Sequence, residues 1–160
     1  MGQIHARVYS KLPASELVAI VDTDQPRARR LAKKYKCKWY SDCVRLYDGV
    51  DAVTIAAPTN EHYKLARPFI ERKIPVLIEK PLAADLAQAG EIVALAARTG
   101  CLVAVGHSER CNPVVQAIKR LAIEPKFIEA TRISPYPFRS TDIGVVLDIM
   151  IHDIDIILSL

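Results

Sequence analysis

Apolar residues follow two alternating rhythms along the chain. Short runs at Glu16–Asp22, Asp51–Ala57, Val76–Glu79 and Cys101–Gly106 are rich in Val, Ile, Leu and Ala with little polar alternation, as expected of strands buried on both faces. Between them, apolar residues recur every three or four positions. Gln25–Lys36 carries Ala28, Leu31, Ala32 and Tyr35 on one stripe, with Pro26 placed for a first helical turn. Glu61–Arg72 is helical with Pro68 as a local kink, and Asp85–Thr99 is an Ala-rich helix opened by Asp85 and stopped by Gly100. Cys37–Tyr40 predicts a short edge strand and Val44–Tyr47 a short helix. Strand and helix in alternation predict a doubly wound parallel sheet of the α/β class, covered on both faces.

The rhythm changes near residue 124. Pro113–Leu121 reads as a helix leaving the sheet, Phe127–Ile133 alternates like a half-exposed strand, and Ile143–Leu160 reads as one long apolar helix. Residues 1–123 are therefore read as one domain and 124–160 as the start of an α+β second one. The net charge is only +4 and aromatics are 6% of the chain, a poor match to the basic stripe with interleaved aromatics that nucleic acid requires. No apolar run reaches the ~20 residues of a membrane span, and no signal-peptide pattern opens the chain. Cys37, Cys43, Cys101 and Cys111 show neither zinc spacing nor a CxxC pair. They are expected to be reduced, mostly buried thiols of a cytoplasmic protein, and no metal site is expected.

Four features carry chemistry. Gly2, before a helical stretch at Gln3–Lys11, stands where the last glycine of a dinucleotide fingerprint would; the first two glycines and the strand before them are not in the chain. Asp22 follows Gly2 by 20 residues at the end of a buried run. There it either accepts the ribose hydroxyls of NAD or only caps the next helix, and Arg27 and Arg29 leave NADP open. Glu79-Lys80-Pro81 closes a core strand, at the edge where open α/β sheets bind ligands. Lys80 is either a surface stem or an ammonium that bonds a substrate hydroxyl and helps move its proton. Asp148 and His152, four residues apart, share a helix face, as a buried pair or as a general base with its orienting acid. Asp153 and Asp155 are expected to point elsewhere, Asp155 closer to the His152 face. Pro58-Thr59-Asn60-x-His62 and Gly106-His107-x-Glu109-Arg110-x-Asn112-Pro113 follow core strands, where loops line a cleft.

The order of PTNEH (Pro58–His62), EKP (Glu79–Pro81) and GHSERCNP (Gly106–Pro113) resembles the Gfo/Idh/MocA oxidoreductases, named for glucose–fructose oxidoreductase and inositol dehydrogenase. The family usually has an aromatic where Cys111 stands. The resemblance spans essentially the whole chain and implies a Rossmann-like sheet, here lacking its first strand, in a chain cut short at both ends. It implies that Lys80, Asp148 and His152 are catalytic, with His152 the proton acceptor. It implies that Gly2, Asp22, Pro58, Thr59, Asn60, His62, Glu79 and Lys80 border NAD, and that Arg110 and Asn112 belong to an element beside the site. Within the family, Arg132–Leu158 is similar to the branch acting on the 3-hydroxyl of UDP-N-acetylglucosamine. Arg132, Tyr136 and Arg139 are then candidate contacts for its diphosphate.

The resulting expectation is an NAD(P)-dependent dehydrogenase that takes hydride from a sugar or sugar-nucleotide hydroxyl. Its partner is a small molecule, and the whole protein is expected to form a homo-oligomer. Two other readings remain: a nucleotide-binding or inactive fragment, and an NAD-dependent glycosidase on the same scaffold.

Overall fold

A computed structural model of the chain describes residues 1–121, 124–133 and 144–160. The strands are β1 (Ala19–Val21), β2 (Lys38–Tyr40), β3 (Val53–Ile55), β4 (Val76–Ile78) and β5 (Val103–Val105). They alternate with α1 (Gly2–Tyr9), α2 (Gln25–Tyr35), α3 (His62–Glu71), α4 (Leu86–Thr99) and α5 (Pro113–Arg120). Short 3-10 turns at Cys43–Leu46, Thr59–Glu61 and Ser108–Cys111 connect them, and the chain closes with a π-helical turn (Val146–Met150) leading into α6 (Ile151–Ile157).

The fold class is α/β with parallel strands, as the alternation predicts. β1 pairs with β2, and β3, β4 and β5 form a second ladder in that order. Among the described residues no ladder joins β1 to β3. In the larger ladder Val53, Val76 and Val103 lie side by side, as do Ile55, Ile78 and Val105, so its three strands end at one level. Side-chain caps mark the starts of α2 and α4. Asp24 accepts from the Arg27 amide at 3.0 Å, with Pro26 in the first turn of α2, and Asp85 accepts from the Gln88 amide at 2.8 Å. Gly100 ends α4 at φ 69°, a left-handed conformation that glycine adopts without a steric penalty.

The core lies where α3 and α4 pack on each other and on β3–β5. Ile55, Phe69, Ile70, Val76, Ile78, Ile92 and Leu95 fill it. Ile70 of α3, Ile78 of β4 and Ile92 of α4 are essentially solvent-free.

The structure corrects several sequence expectations. Phe127–Ile133 forms no strand, and Phe127 and Ile133 are 83% and 92% exposed. Alternation produces a strand only where a neighbouring strand supplies hydrogen bonds, and none is paired to this segment among the described residues. Glu16–Val18 stays outside β1, although the Lys38 amide donates to the Val18 carbonyl at 3.0 Å. The closing helix is not continuous α, since its first described turn is a π turn; Ile143 lies outside the described residues. The short helix near Val44 is a 3-10 turn. All four cysteines are free, but only Cys101 is buried; Cys37 and Cys43 are half-buried and Cys111 is exposed.

Ile70 tests the placement of this core. Ile70→Ala removes a fully buried side chain and is expected to cost about 2–5 kcal/mol. Val93→Ala, on the open side of α4, is expected to change stability by less than about 0.5 kcal/mol. Urea unfolding of the two variants beside the unsubstituted chain checks this; equal losses would mean that α4 buries its other face.

Candidate active site

The carboxyl ends of β3, β4 and β5 place three loops at one edge of the ladder. Beyond β4 come Glu79 and Lys80, with a cis bond between Lys80 and Pro81. Lys80 turns outward from the sheet toward the π turn, where its ammonium donates to the Asp148 carboxylate at 2.7 Å and to the Asp148 main-chain carbonyl at 2.5 Å. Both side chains are mostly buried, each at 16% exposure. The pair therefore joins residues 68 positions apart in the sequence and brings the EKP loop against the last helix. Lys80 is not a surface stem.

His152 follows Asp148 on the same helix. Its Nδ1 is buried and has no hydrogen-bond partner among the described residues. Burial, followed by the charges of Lys80 and Arg132, pushes its pKa below the ordinary 6.5, against a smaller pull upward from Glu109. The ring is therefore neutral at physiological pH.

Glu79 turns the other way, into the interior. It is buried and hydrogen-bonded by His5 Nε2 at 2.6 Å, and its second oxygen accepts from the Lys80 amide at 3.3 Å. Burial raises its pKa, but the bond and charge of His5 and the Lys80 amide outweigh it and leave the carboxyl below its ordinary value. Gly106, after β5, makes room for this arrangement: a Cβ there would stand 3.1 Å from Glu79 Oε2 and 3.3 Å from Glu79 Cα. His5 carried no recognisable mark in the sequence. It lies 74 positions from Glu79, and only the packing of α1 against the strand ends brings the two together. Its one local signal is its position one helical turn after Gly2.

The other expected cofactor positions are placed as follows. Gly2 begins α1, and a Cβ on it would lie 3.8 Å from Ala56 just beyond β3, so this helix starts at the same edge. Pro58 and Asn60 are exposed in the loop beyond β3, and Thr59 is buried there. His62 is placed in the core, at 1% exposure, with Nδ1 2.9 Å from the Pro81 carbonyl and Nε2 3.0 Å from the Ala57 carbonyl. It ties the PTNEH loop to the EKP loop from behind. Asp22, beyond β1, does not cap α2; Asp24 does. Both Asp22 oxygens are held by the Arg27 guanidinium, at 2.5 and 2.7 Å. That hydrogen bond, opposed by partial burial, keeps the Asp22 carboxyl below its usual range.

Arg132 reaches the last helix. Its guanidinium holds the Asp153 carboxylate at 2.8–3.0 Å, so in this structure its fork is engaged by protein. Tyr136 and Arg139 lie outside the described residues. Asp155, expected near the His152 face, is buried and bound by Arg110 at the strand ends. No group of three metal-ligating side chains occurs among the described residues, and no described helix is long and apolar enough to cross a membrane.

The sequence profile of the Gfo/Idh/MocA oxidoreductase family, with its NAD-binding Rossmann fold, matches residues 1–107. The chain is 33% identical over 161 residues to a UDP-N-acetylglucosamine 3-dehydrogenase of Acidithiobacillus ferrooxidans, covering 100% of this chain and 51% of the relative. It is 33% identical over 166 residues to an inositol 2-dehydrogenase of Rubrobacter xylanophilus, covering 97% of this chain and 48% of that protein. A crystal structure of the Acidithiobacillus ferrooxidans 3-dehydrogenase superposes with a TM-score of 0.91, over 99% of this chain and 52% of that one. The chain thus spans about half the length of these relatives.

The His5–Glu79 bond has a defined pH signature. Because the folded chain holds Glu79 below its ordinary value, the bond stabilises fully above the unfolded carboxyl value of about 4.3 and the contribution is lost as pH falls through the lower folded value. His5→Ala strips a buried carboxylate of its partner and is expected to cost about 1–3 kcal/mol at pH 7. The gap to the unsubstituted chain, read from urea midpoints, is expected to close in acid. A gap equally wide on both sides of the carboxyl range would assign the loss to packing of the ring.

Proposed function

Since this chain belongs to the Gfo/Idh/MocA oxidoreductases, NAD-binding dehydrogenases in its relatives, we propose that it forms the cofactor-side half of a sugar dehydrogenase whose reacting end is Lys80, Asp148 and His152. The observation that carries this reading is the convergence of the three residues. A lysine with a paired ammonium and a histidine kept neutral by burial meet at the carboxyl ends of parallel strands, where ligands of such sheets lie.

The residues at this edge fit a dinucleotide. Asp22 offers a carboxylate beyond β1 to a ribose diol, once Arg27 yields it. The start of α1 beside Ala56 suits a phosphate, because helix N-termini carry unpaired amides and positive potential. Pro58 to Asn60 border the space between that helix and Lys80. When bound, NAD supplies the hydride acceptor.

The chain's own part is acid–base work and orientation. Lys80 hydrogen-bonds the substrate oxygen and polarises its O–H, while Asp148 holds the ammonium in place. A ring nitrogen of His152 takes the hydroxyl proton as the C–H hydride departs, so that alcohol becomes carbonyl and one proton is left on the enzyme. His152 does this only while neutral, so its lowered pKa keeps it competent into mildly acidic solution. Glu79 and His5 hold the backbone from which Lys80 projects, and His62 braces the same loop from the core.

The substrate class we propose is a sugar or sugar nucleotide, with the 3-hydroxyl of UDP-N-acetylglucosamine as the first candidate. The similarity of this chain to the 3-dehydrogenase along its whole length supports this choice.

The test is NADH formation at 340 nm with UDP-N-acetylglucosamine or myo-inositol, beside NAD binding by calorimetry. Lys80→Met is expected to lower turnover by about 10²–10⁴-fold with NAD affinity little changed. The acid limb of kcat/KM is expected to break below 6.5, the ordinary imidazole value, and to disappear in His152→Gln. Turnover by Lys80→Met equal to the parent's would remove lysine from the mechanism. Failure of the protein to bind NAD would end the cofactor reading altogether.

A further inference from the structure

The last helix meets the strand ends at two points, and only one of them is the Lys80 pair. Asp148, His152 and Asp155 follow at i, i+4 and i+7, so they lie along one face. Asp155 is 7% exposed. Arg110, in the turn beyond β5, grips it with Nε 3.0 and 2.8 Å from its two oxygens and Nη2 2.7 Å from one of them. His107 Nδ1 stands 3.9 Å from the same carboxylate.

A carboxylate buried this far costs desolvation, which only a well-aligned partner offsets. Apolar packing holds this helix only in part: Ile149, Ile151, Ile154 and Ile156 are half-buried, but Val145, Met150 and Leu158 are 68%, 53% and 82% exposed. Ion pairs add to that hold. Lys80 reaches it from beyond β4, Arg110 from beyond β5, and Arg132 through Asp153.

We propose that the Arg110–Asp155 pair is a positioning latch that sets the last helix over the ends of β4 and β5 and thereby fixes how close His152 stands to Lys80. This builds on the reading of Lys80, Asp148 and His152 as the reacting end. Asp155 acts on the reaction only through the helix; it is a positioning residue. With the latch closed, His152 faces Lys80 from the EKP loop, Arg132 from the 124–133 segment, and His107 and Glu109 from the β5 turn. Asp148 and Asp153 flank it on its own helix. With the latch open, the helix is held only by the Lys80–Asp148 and Arg132–Asp153 pairs and its half-buried isoleucines, and His152 moves toward solvent.

The experiment is an NMR titration of the His152 ring, its resonance assigned by its loss in His152→Gln, in this chain and in Asp155→Asn. Removing an anion without moving the helix would lower the His152 pKa or leave it alone. Releasing the helix relieves burial and the Lys80 charge, so the latch requires the value to rise toward 6.5, by roughly half a unit. Arg110→Lys keeps the charge but loses the bidentate fork, and is expected to shift His152 the same way by less. Asp155→Glu, which keeps the ion pair, is expected to restore most of the parent value. A His152 pKa that stays put or falls in well-dispersed spectra of Asp155→Asn and Arg110→Lys overturns the latch. If Asp155→Asn loses its dispersed spectrum, Arg110→Lys alone decides. Failure of the wild type to oxidise either substrate, with the upward shift present, would count against the reacting-end reading and leave the latch standing. Normal turnover with no shift would do the reverse.

Discussion

The parallel register of β3, β4 and β5 is the constraint on which the rest of the molecule depends. Because Ile55, Ile78 and Val105 lie abreast, the three loops that follow emerge at the same height. They are then close enough for Glu79 to reach Gly106 and for His62 to bridge two of them. Moving one strand by a single residue would turn its side chains to the other face of the sheet. Glu79 would then point where Lys80 now points, and neither His5 nor Asp148 would find its partner. The burial of Ile70, Ile78 and Ile92 holds that register, so the apolar core and the polar edge are one design in two materials.

Charge is distributed across this edge by depth. Glu79 and His62 face inward, are bonded to protein, and hold the loops. Lys80 and Asp148 lie at the boundary, paired but partly open. Asp22 with Arg27 stands further out, where the guanidinium is 46% exposed. A buried polar group must be fully partnered while a boundary group can exchange its partner for a ligand. That gradient separates the residues that hold the site from those able to act in it.

Much of this was legible along the chain, and what was not has a common cause. Val76–Ile78 announced itself because a largely buried strand is apolar throughout, and Val53–Ile55 because two β-branched apolar residues flank Thr54. Lys80 stood out because a charge immediately after such a strand has to emerge at the ligand edge. Asp148 and His152 are related by helical spacing, a local property. His5 with Glu79, Arg110 with Asp155 and Arg132 with Asp153 are separated by 74, 45 and 21 positions, and no periodicity joins such distant residues. Phe127–Ile133 misled for a related reason: alternation records which face of a strand is wet, but a strand exists only if another chain segment bonds to it.

Gly106 carries a consequence for how such a protein can change over generations. The backbone there lies so near Glu79 that a side chain at 106 and a glutamate at 79 compete for one volume. A lineage that gained alanine at 106 first would have to move Glu79 by a few tenths of an ångström; one that first shortened residue 79 would give up the carboxylate that His5 and the Lys80 amide share. Each order carries a cost, so the two codons are linked in their histories although 27 positions separate them in the chain. Related sequences that lack glycine at 106 are the ones in which a different hold on the lysine is to be sought.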